Sequence, residues 1–267
     1  MDIGKTLRLV LGIGWFLGML LNGLPAPAQE GLEHQGIRFR LIHSGNYLLG
    51  SPPQEAGRYA DEAMPHRVRL EPFYIAVTET TNAQYGRFLQ ATGHKPPLYR
   101  QDKNLNSPSQ PVVGVTWEDA AAFCRWLTQA TGKSHQLPTE AQWEAAARGG
   151  LIGKSYPWGE ELPDAGGVFR ANYRQGPHRL SAPVGSFPPN GFGLYDMAGN
   201  VAEWCLDQYT PLGAGGPFKP GVLRLLKGGS WFSQARELRC AARQSAPPDY
   251  ADGYIGFRVV LLPPPSH

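Results

Sequence analysis

Between residues 150 and 220 the sequence shows almost no apolar periodicity, yet it is dense in Gly, Pro and Trp. A stretch this long without helix or strand signals excludes a helical bundle. Inside a compact domain, loops of this length usually carry function. Gly (33) and Pro (25) make up about a fifth of the 267 residues, which reinforces the expectation of many turns and few long helices. Hydrophobic residues at 42% are enough for a sizeable core. A net charge of +3, with its basic residues scattered, gives no nucleic-acid footprint.

Upstream of the loop-rich stretch, three helices announce themselves by their caps. Thr81-Asn82-Ala83-Gln84 is a capping box, followed by an apolar face of Tyr85, Phe88 and Leu89 and by Gly93 as the stop. Thr116-Trp117-Glu118-Asp119 opens a second helix with Ala120, Phe123, Cys124 and Leu127 inward and Gly132 at its end. Thr139-Glu140-Ala141-Gln142 opens a third, with Trp143, Ala146 and Ala147 inward and Gly149-Gly150 closing it. Strands are expected where Ile37, Phe39 and Leu41 alternate with Arg38 and Arg40, and again at Tyr47–Gly50 after a Gly45-Asn46 turn. Further strand signals lie at Val68–Ile75, Val222–Leu226 and Phe257–Leu262. No flexible linker divides the chain, so residues 31–262 read as one α+β domain, with 263–267 a frayed tail.

The N-terminus reads as an address. Lys5 and Arg8 precede the apolar run Leu9–Leu21, and Ala26 and Ala28 stand where a signal peptidase needs small residues. Residues 1–28 are therefore expected to be a cleaved signal peptide, which makes the mature chain secreted or periplasmic. No second run of spanning length follows, so no membrane association is expected after cleavage.

The densest polar run is Asn190–Trp204. Asp196 and Glu203 stand seven apart with Gly199 and Asn200 between them. Such a loop folds around a hard cation, with carboxylates and freed carbonyls as ligands, or else uses its carboxylates to cap turns. No His pair has metal-ligand spacing. Of the three cysteines, Cys124 lies on an apolar helix face, and Cys205 and Cys240 are the expected disulfide pair of an exported chain. Between two strand signals, Phe232–Tyr254 is rich in Tyr, Ser, Gly and Asp, the side chains that paratopes use.

Several long runs in fixed order carry a family resemblance. They are Pro111–Ala120, Leu137–Gly150, Tyr156-Pro157-Trp158-Gly159, Gly193–Trp204, Gly228-Gly229-Ser230-Trp231 and Gly256-Phe257-Arg258. Together they resemble the formylglycine-generating enzyme (sulfatase-modifying factor) family over about residues 36–261. The resemblance implies a C-type-lectin-like α+β fold with a short twisted antiparallel sheet, few helices and long ordered loops. It implies calcium at Asp196, Gly199, Val201 and Glu203, the middle two through carbonyls. It places a second calcium site at Asn172-Tyr173, whose downstream carboxylate is missing from Arg174–Arg179.

Catalytic members of the family oxidise a substrate Cys to formylglycine with a copper ion held by two Cys. The first of those positions is Ser233 here, and the second falls in Gln234–Leu238, which has no Cys. Cys240 and Cys124 match disulfide cysteines whose partners fall at Ala147 and Val259. A hydroxyl does not replace a thiolate for soft Cu(I), so copper is not expected. Residues 228–260 also resemble the variable region of retroelement-diversified proteins of the same fold. The expected function is a calcium-braced module binding an unknown protein or small ligand through Trp231, Phe232, Ser233, Gln244, Tyr250, Asp252 and Tyr254. The alternative is an oxidase of the formylglycine-generating type, or a periplasmic oxidative maturation enzyme working without the two-Cys copper site.

Overall fold

The computed structural model describes residues 31–211 and 223–264. The signal-peptide reading of 1–28 and the end of the tail lie outside the described residues. The expected α+β architecture is present, as three α-helices and three small sheets among the described residues. Among the described residues no helix is long and apolar enough to cross a membrane.

The helices form where their caps place them. Helix α1 (Asn82–Thr92), α2 (Trp117–Thr131) and α3 (Glu140–Arg148) each start at a Thr whose side chain accepts from the N3 amide. The N3 side chain answers to the Thr backbone, so two otherwise unpaired donors are satisfied at each end. Gly93, Gly132 and Gly149 terminate them in the left-handed conformation.

The largest sheet contains β1 (Gly31–His34), β2 (Ile37–Ile42), β5 (Phe73–Ala76), β6 (His135–Gln136) and β11 (Val260–Leu261), in the order β1-β2-β5-β11-β6 and antiparallel throughout. Strands β3 (Gly45–Leu49) and β4 (His66–Leu70) form a separate pair. Gly45 and Asn46 belong to β3 and pair with Leu70 and Arg69, so the expected turn is displaced upstream. The third sheet has the order β10-β7-β8-β9, from β7 (Ala202–Gln208), β8 (Arg224–Lys227), β9 (Gln244–Ala246) and β10 (Ile255–Gly256). Its β10–β7 pair is parallel, beside the antiparallel β7–β8 and β8–β9 pairs. Of the expected strand Phe257–Leu262, only Val260–Leu261 is strand, as β11.

Two apolar layers hold these elements together. One packs α1 and α2 on the sheets through Phe39, Tyr85, Phe88, Phe123, Leu127 and Phe257. Tyr85 and Phe123 stack at 5.7 Å, and Phe123 meets Phe257 edge-on at 5.3 Å. The other buries Ile42, Phe73, Ile75, Trp143, Leu225 and Val260 beside α3.

The loops are ordered by buried amide side chains rather than by strands. Asn82 donates to the carbonyls of Leu105 and Ser107, and Asn190 to those of Ala146 and Ala147. Asn200, at a φ of 60°, accepts from the Ala182 amide and donates to Glu79. Each satisfies backbone groups that an irregular segment would otherwise leave unpaired in the interior.

The expected Cys205–Cys240 disulfide is not formed, and all three cysteines are free buried thiols. Cys205 and Cys240 share one apolar cluster, but the Cys205 thiol turns to the carbonyl of Glu203. Burial pushes the Cys240 thiol up to about 12 and the Cys205 thiol well above its ordinary range. Both are therefore core side chains held as neutral thiols.

Candidate functional site

The C-terminal part of the chain builds an aromatic face around Gly228–Tyr254. Trp231 anchors it, because its indole donates to the carbonyl of Gly253 at 3.1 Å. Phe232, 57% exposed, meets the Trp231 ring edge-on at 5.7 Å and stacks against Tyr254 at 6.0 Å. The Arg174 guanidinium sits 5.7 Å from the Phe232 centroid, which draws the middle loops into the same face.

Tyr250 donates to Asp252 Oδ2 at 2.7 Å and lies 3.2 Å from the Tyr254 hydroxyl. Hydrogen bonding to Tyr254 and Asp252 pushes the Tyr250 phenol up from its ordinary value, so it stays a neutral donor. The other Asp252 oxygen accepts from Tyr99 at 3.2 Å and from the amide of Gly253. Beside these rings lies a recess of about 480 Å³ lined by Gln244, Ser245, Pro247, Tyr250 and Tyr254.

The structure thus brings Trp231, Phe232, Tyr250, Asp252 and Tyr254 together and sets Gln244 at the recess beside them. Ser233 is different. It is 7% exposed, and its Oγ accepts from the Ser230 amide at 3.1 Å and lies 3.3 Å from the Ser230 hydroxyl. It supports the face from beneath and does not line it. Arg174 and Tyr99 were missed by sequence reasoning because they reach the face from distant loops. The only available signal was their place in the Pro- and Gly-rich segments.

The Asn190–Trp204 run lies mostly below the surface. Asp196, Asn200 and Glu203 are all buried, and Glu203 stands on β7. Gly199 has a φ of 77°, and a Cβ there would come within 2.1 Å of the Asn172 carbonyl, so only glycine fits. Asn200 donates from its amide to that same carbonyl at 2.8 Å.

Arg258, fully buried, grips Glu203 with two bonds of 2.7 Å and also donates to the carbonyls of Ala76 and Tyr195. Trp143 donates its indole N–H to Glu203 Oε2 at 2.7 Å. Asp196 Oδ2 accepts from the amide of Gly185 at 2.6 Å. Its carboxyl also meets that of Glu79. Burial raises Asp196 to about 6, and burial with the neighbouring Asp196 charge raises Glu79 well above the carboxylate range. Glu79 is fully buried, and no N–H donor reaches its Oε2.

Among the described residues no three His, Cys, Asp or Glu side chains converge as a ready metal cluster. Fit to an oxygen-ligated ion rests on fewer carboxylates. Glu203 has spent both lone pairs of Oε2 and one of Oε1 on Arg258 and Trp143. The Asp196 and Glu79 carboxyls lie against each other, and Glu79 Oε2 receives no N–H donor. This donor set is all oxygen, which suits a hard divalent cation such as calcium. At the second expected calcium position, Asn172 is fully buried, and its Nδ2 donates to the Leu180 carbonyl. Its Oδ1 has no hydrogen-bond partner.

Comparison with known proteins agrees with this architecture. The family model described as sulfatase-modifying factor enzyme 1-like domain matches residues 28–262. A formylglycine-generating enzyme of Streptomyces coelicolor is 35% identical, over 88% of this chain and 91% of that protein. A Mus musculus protein named inactive C-alpha-formylglycine-generating enzyme 2 is 40% identical over 82% of this chain and 84% of its own length. Other relatives are longer, and the chain spans 37% of their length. The solved Treponema denticola variable protein 1 superposes with a TM-score of 0.73 at 25% identity, covering 89% of this chain and all of that one. The chain belongs to the sulfatase-modifying factor enzyme 1-like domain family.

Proposed function

We propose that the protein is an exported, calcium-braced binding module that has left the family's copper chemistry. Ser233 carries this reading. The resemblance puts the first copper thiolate at this position, where the chain has a hydroxyl locked to Ser230. No other thiol substitutes for it, because Cys124, Cys205 and Cys240 are all buried in the core and pushed up by burial. A soft cuprous ion needs exposed thiolates, and this chain offers none at its surface.

The aromatic face is what remains at that end of the domain. Phe232 and Tyr250 present rigid area, while Asp252, Gln244 and Ser245 supply hydrogen-bonding groups around the recess. That combination suits a protein or small ligand contacted by aromatic anchors with adaptable polar neighbours. Similarity to a relative named inactive supports a non-oxidase reading. Similarity to a protein named variable supports treating residues 228–260 as a replaceable surface. Calcium, held by Asp196 with the carbonyls of Gly199 and Val201 and the remaining lone pair of Glu203, would fix the loop beneath this face.

Mass spectrometry tests the reading. The purified chain is incubated with Cu(I), oxygen and a peptide containing Cys-x-Pro-x-Arg. The expected outcome is unmodified peptide, and formylglycine in the product overturns the proposal.

A further inference from the structure

We infer that the recess beside the aromatic face binds a quaternary ammonium group, held against the rings of Tyr250 and Tyr254. This rests on the binding-module reading above and names the chemistry of its ligand.

The lining gives the first argument. Tyr250 and Tyr254 line the recess of about 480 Å³ together with apolar surface from Leu226, Ala246, Pro247 and Ile255. Its polar lining is Gln244 and Ser245, and among the described residues no charged side chain lines it. The face of an aromatic ring attracts a cation, and the attraction grows as water is excluded. The neighbouring rings already hold one cation in this way. The Arg174 guanidinium lies 5.7 Å from the Phe232 centroid, and Phe232 stacks on Tyr254.

Charge gives the second argument. Asp252 does not line the recess, but the Tyr250 hydroxyl donates to its Oδ2 at 2.7 Å and lies 3.2 Å from the Tyr254 hydroxyl. Asp249 is exposed on the same loop, in the turn closed by the bond from the Tyr250 amide to the Pro247 carbonyl. Among the described residues no Lys, Arg or His forms an ion pair with either carboxylate. A phenol that donates to a carboxylate is polarised by it and keeps more electron density on its ring, which strengthens the pull on a cation. The loop therefore complements positive charge.

Hydrogen bonding selects the kind of cation. A primary ammonium or a guanidinium brings N–H donors that need acceptors once water is removed. Asp252 has spent both lone pairs of Oδ1 on Tyr99 and the Gly253 amide and one of Oδ2 on Tyr250. A quaternary ammonium has no N–H to satisfy. Its charge suits the rings, and its methyl groups suit Leu226, Ala246, Pro247 and Ile255. Gln244 and Ser245 are left to bond a polar group elsewhere on the ligand.

The test titrates the purified chain with choline and, in parallel, with its neutral isostere, in which a tert-butyl group replaces the trimethylammonium. Saturation-transfer NMR of the methyl singlet and protein fluorescence follow both. Choline should bind about tenfold more tightly than the isostere. Tyr254→Leu removes a ring and should erase that difference, while Tyr254→Phe keeps the ring and should retain it. Tyr250→Leu, at a residue 38% exposed, gives the same readout where Tyr254→Leu does not fold. Asp252→Asn should reduce the preference for choline without changing affinity for the isostere. Phosphatidylcholine vesicles distinguish the source of the group: co-sedimentation marks a lipid headgroup, and choline binding without it marks a soluble ligand. Equal affinity for choline and the isostere overturns the inference and leaves the binding face in place, as does a preference that survives both leucine substitutions. Absence of binding by either molecule also overturns it. Failure of the binding-module reading shows separately, as formylglycine in the peptide assay above.

Discussion

The buried cluster around Arg258 and the exposed face around Phe232 are joined by the bond from the Trp231 amide to the Asn200 carbonyl at 2.9 Å, yet they are built on opposite principles. In the cluster, nearly every polar atom has an assigned partner. Arg258 alone reaches Glu203 and the carbonyls of Ala76 and Tyr195, and Asn200 bonds Glu79 and Ala182. On the face, side chains mostly contact one another: Tyr250 bonds Asp252 and Tyr254, and Phe232 meets Trp231 edge-on and stacks on Tyr254. The contrast separates what the fold requires from what the surface is free to change. Residues whose partners are backbone groups of other segments define the scaffold. Residues whose partners are neighbours on the same face can be exchanged without disturbing it.

The largest expected effect falls in the cluster. Arg258→Met leaves the Glu203 carboxylate buried with only the Trp143 indole as a donor and removes three carbonyl contacts. Breaking a buried pair from one side costs about 3–5 kcal/mol, so urea unfolding should show a large loss of stability or no folded protein at all. A variant of near wild-type stability would show that the cluster is not the brace. Gly199→Ala should cost less, about 1–3 kcal/mol from the left-handed backbone, with a further increment from the contact with the Asn172 carbonyl. Thermal unfolding measures it, and a neutral result would mean that the loop relaxes freely. The smallest effects belong to the face. Phe232→Ala and Tyr250→Ser should each change stability by less than about 0.5 kcal/mol, because they remove exposed groups rather than core. A loss as large as that of Gly199→Ala would erase the distinction between scaffold and face.

Much of the scaffold was legible in the sequence because it is written in local chemistry. Thr81, Thr116 and Thr139 each specify a helix start within three residues, and Gly93, Gly132 and Gly149 its end, independently of the rest of the chain. The alternation of Ile37, Phe39 and Leu41 likewise marks β2, a strand with two dissimilar faces. Strands β7, β9 and β10 were not legible. Ala202–Gln208 carries Trp204 and Cys205 inward with Glu203 buried beside them, so no alternation distinguishes it. Gln244–Ala246 and Ile255–Gly256 are too short to show a period.

At the candidate site, Asp196 and Glu203 were visible from spacing, but the commitment of Glu203 to Arg258 was not, since that contact spans 55 positions. Glu79 was invisible for the same reason. It stands beside a helix cap, and only the tertiary fold brings it to Asp196. The aromatic face was suggested by composition, but the inward turn of Ser233 depends on its bond to Ser230, which no residue count reveals.

The three interior thiols have a practical consequence. Cys124, Cys205 and Cys240 are buried by different elements and kept neutral by that burial. An alkylating reagent can reach them only when the surrounding core opens. Pulsed labelling of the native chain therefore turns its sulfur atoms into internal clocks, Cys124 timing how often the layer under α1 and α2 comes apart and Cys205 and Cys240 timing the layer beside α3.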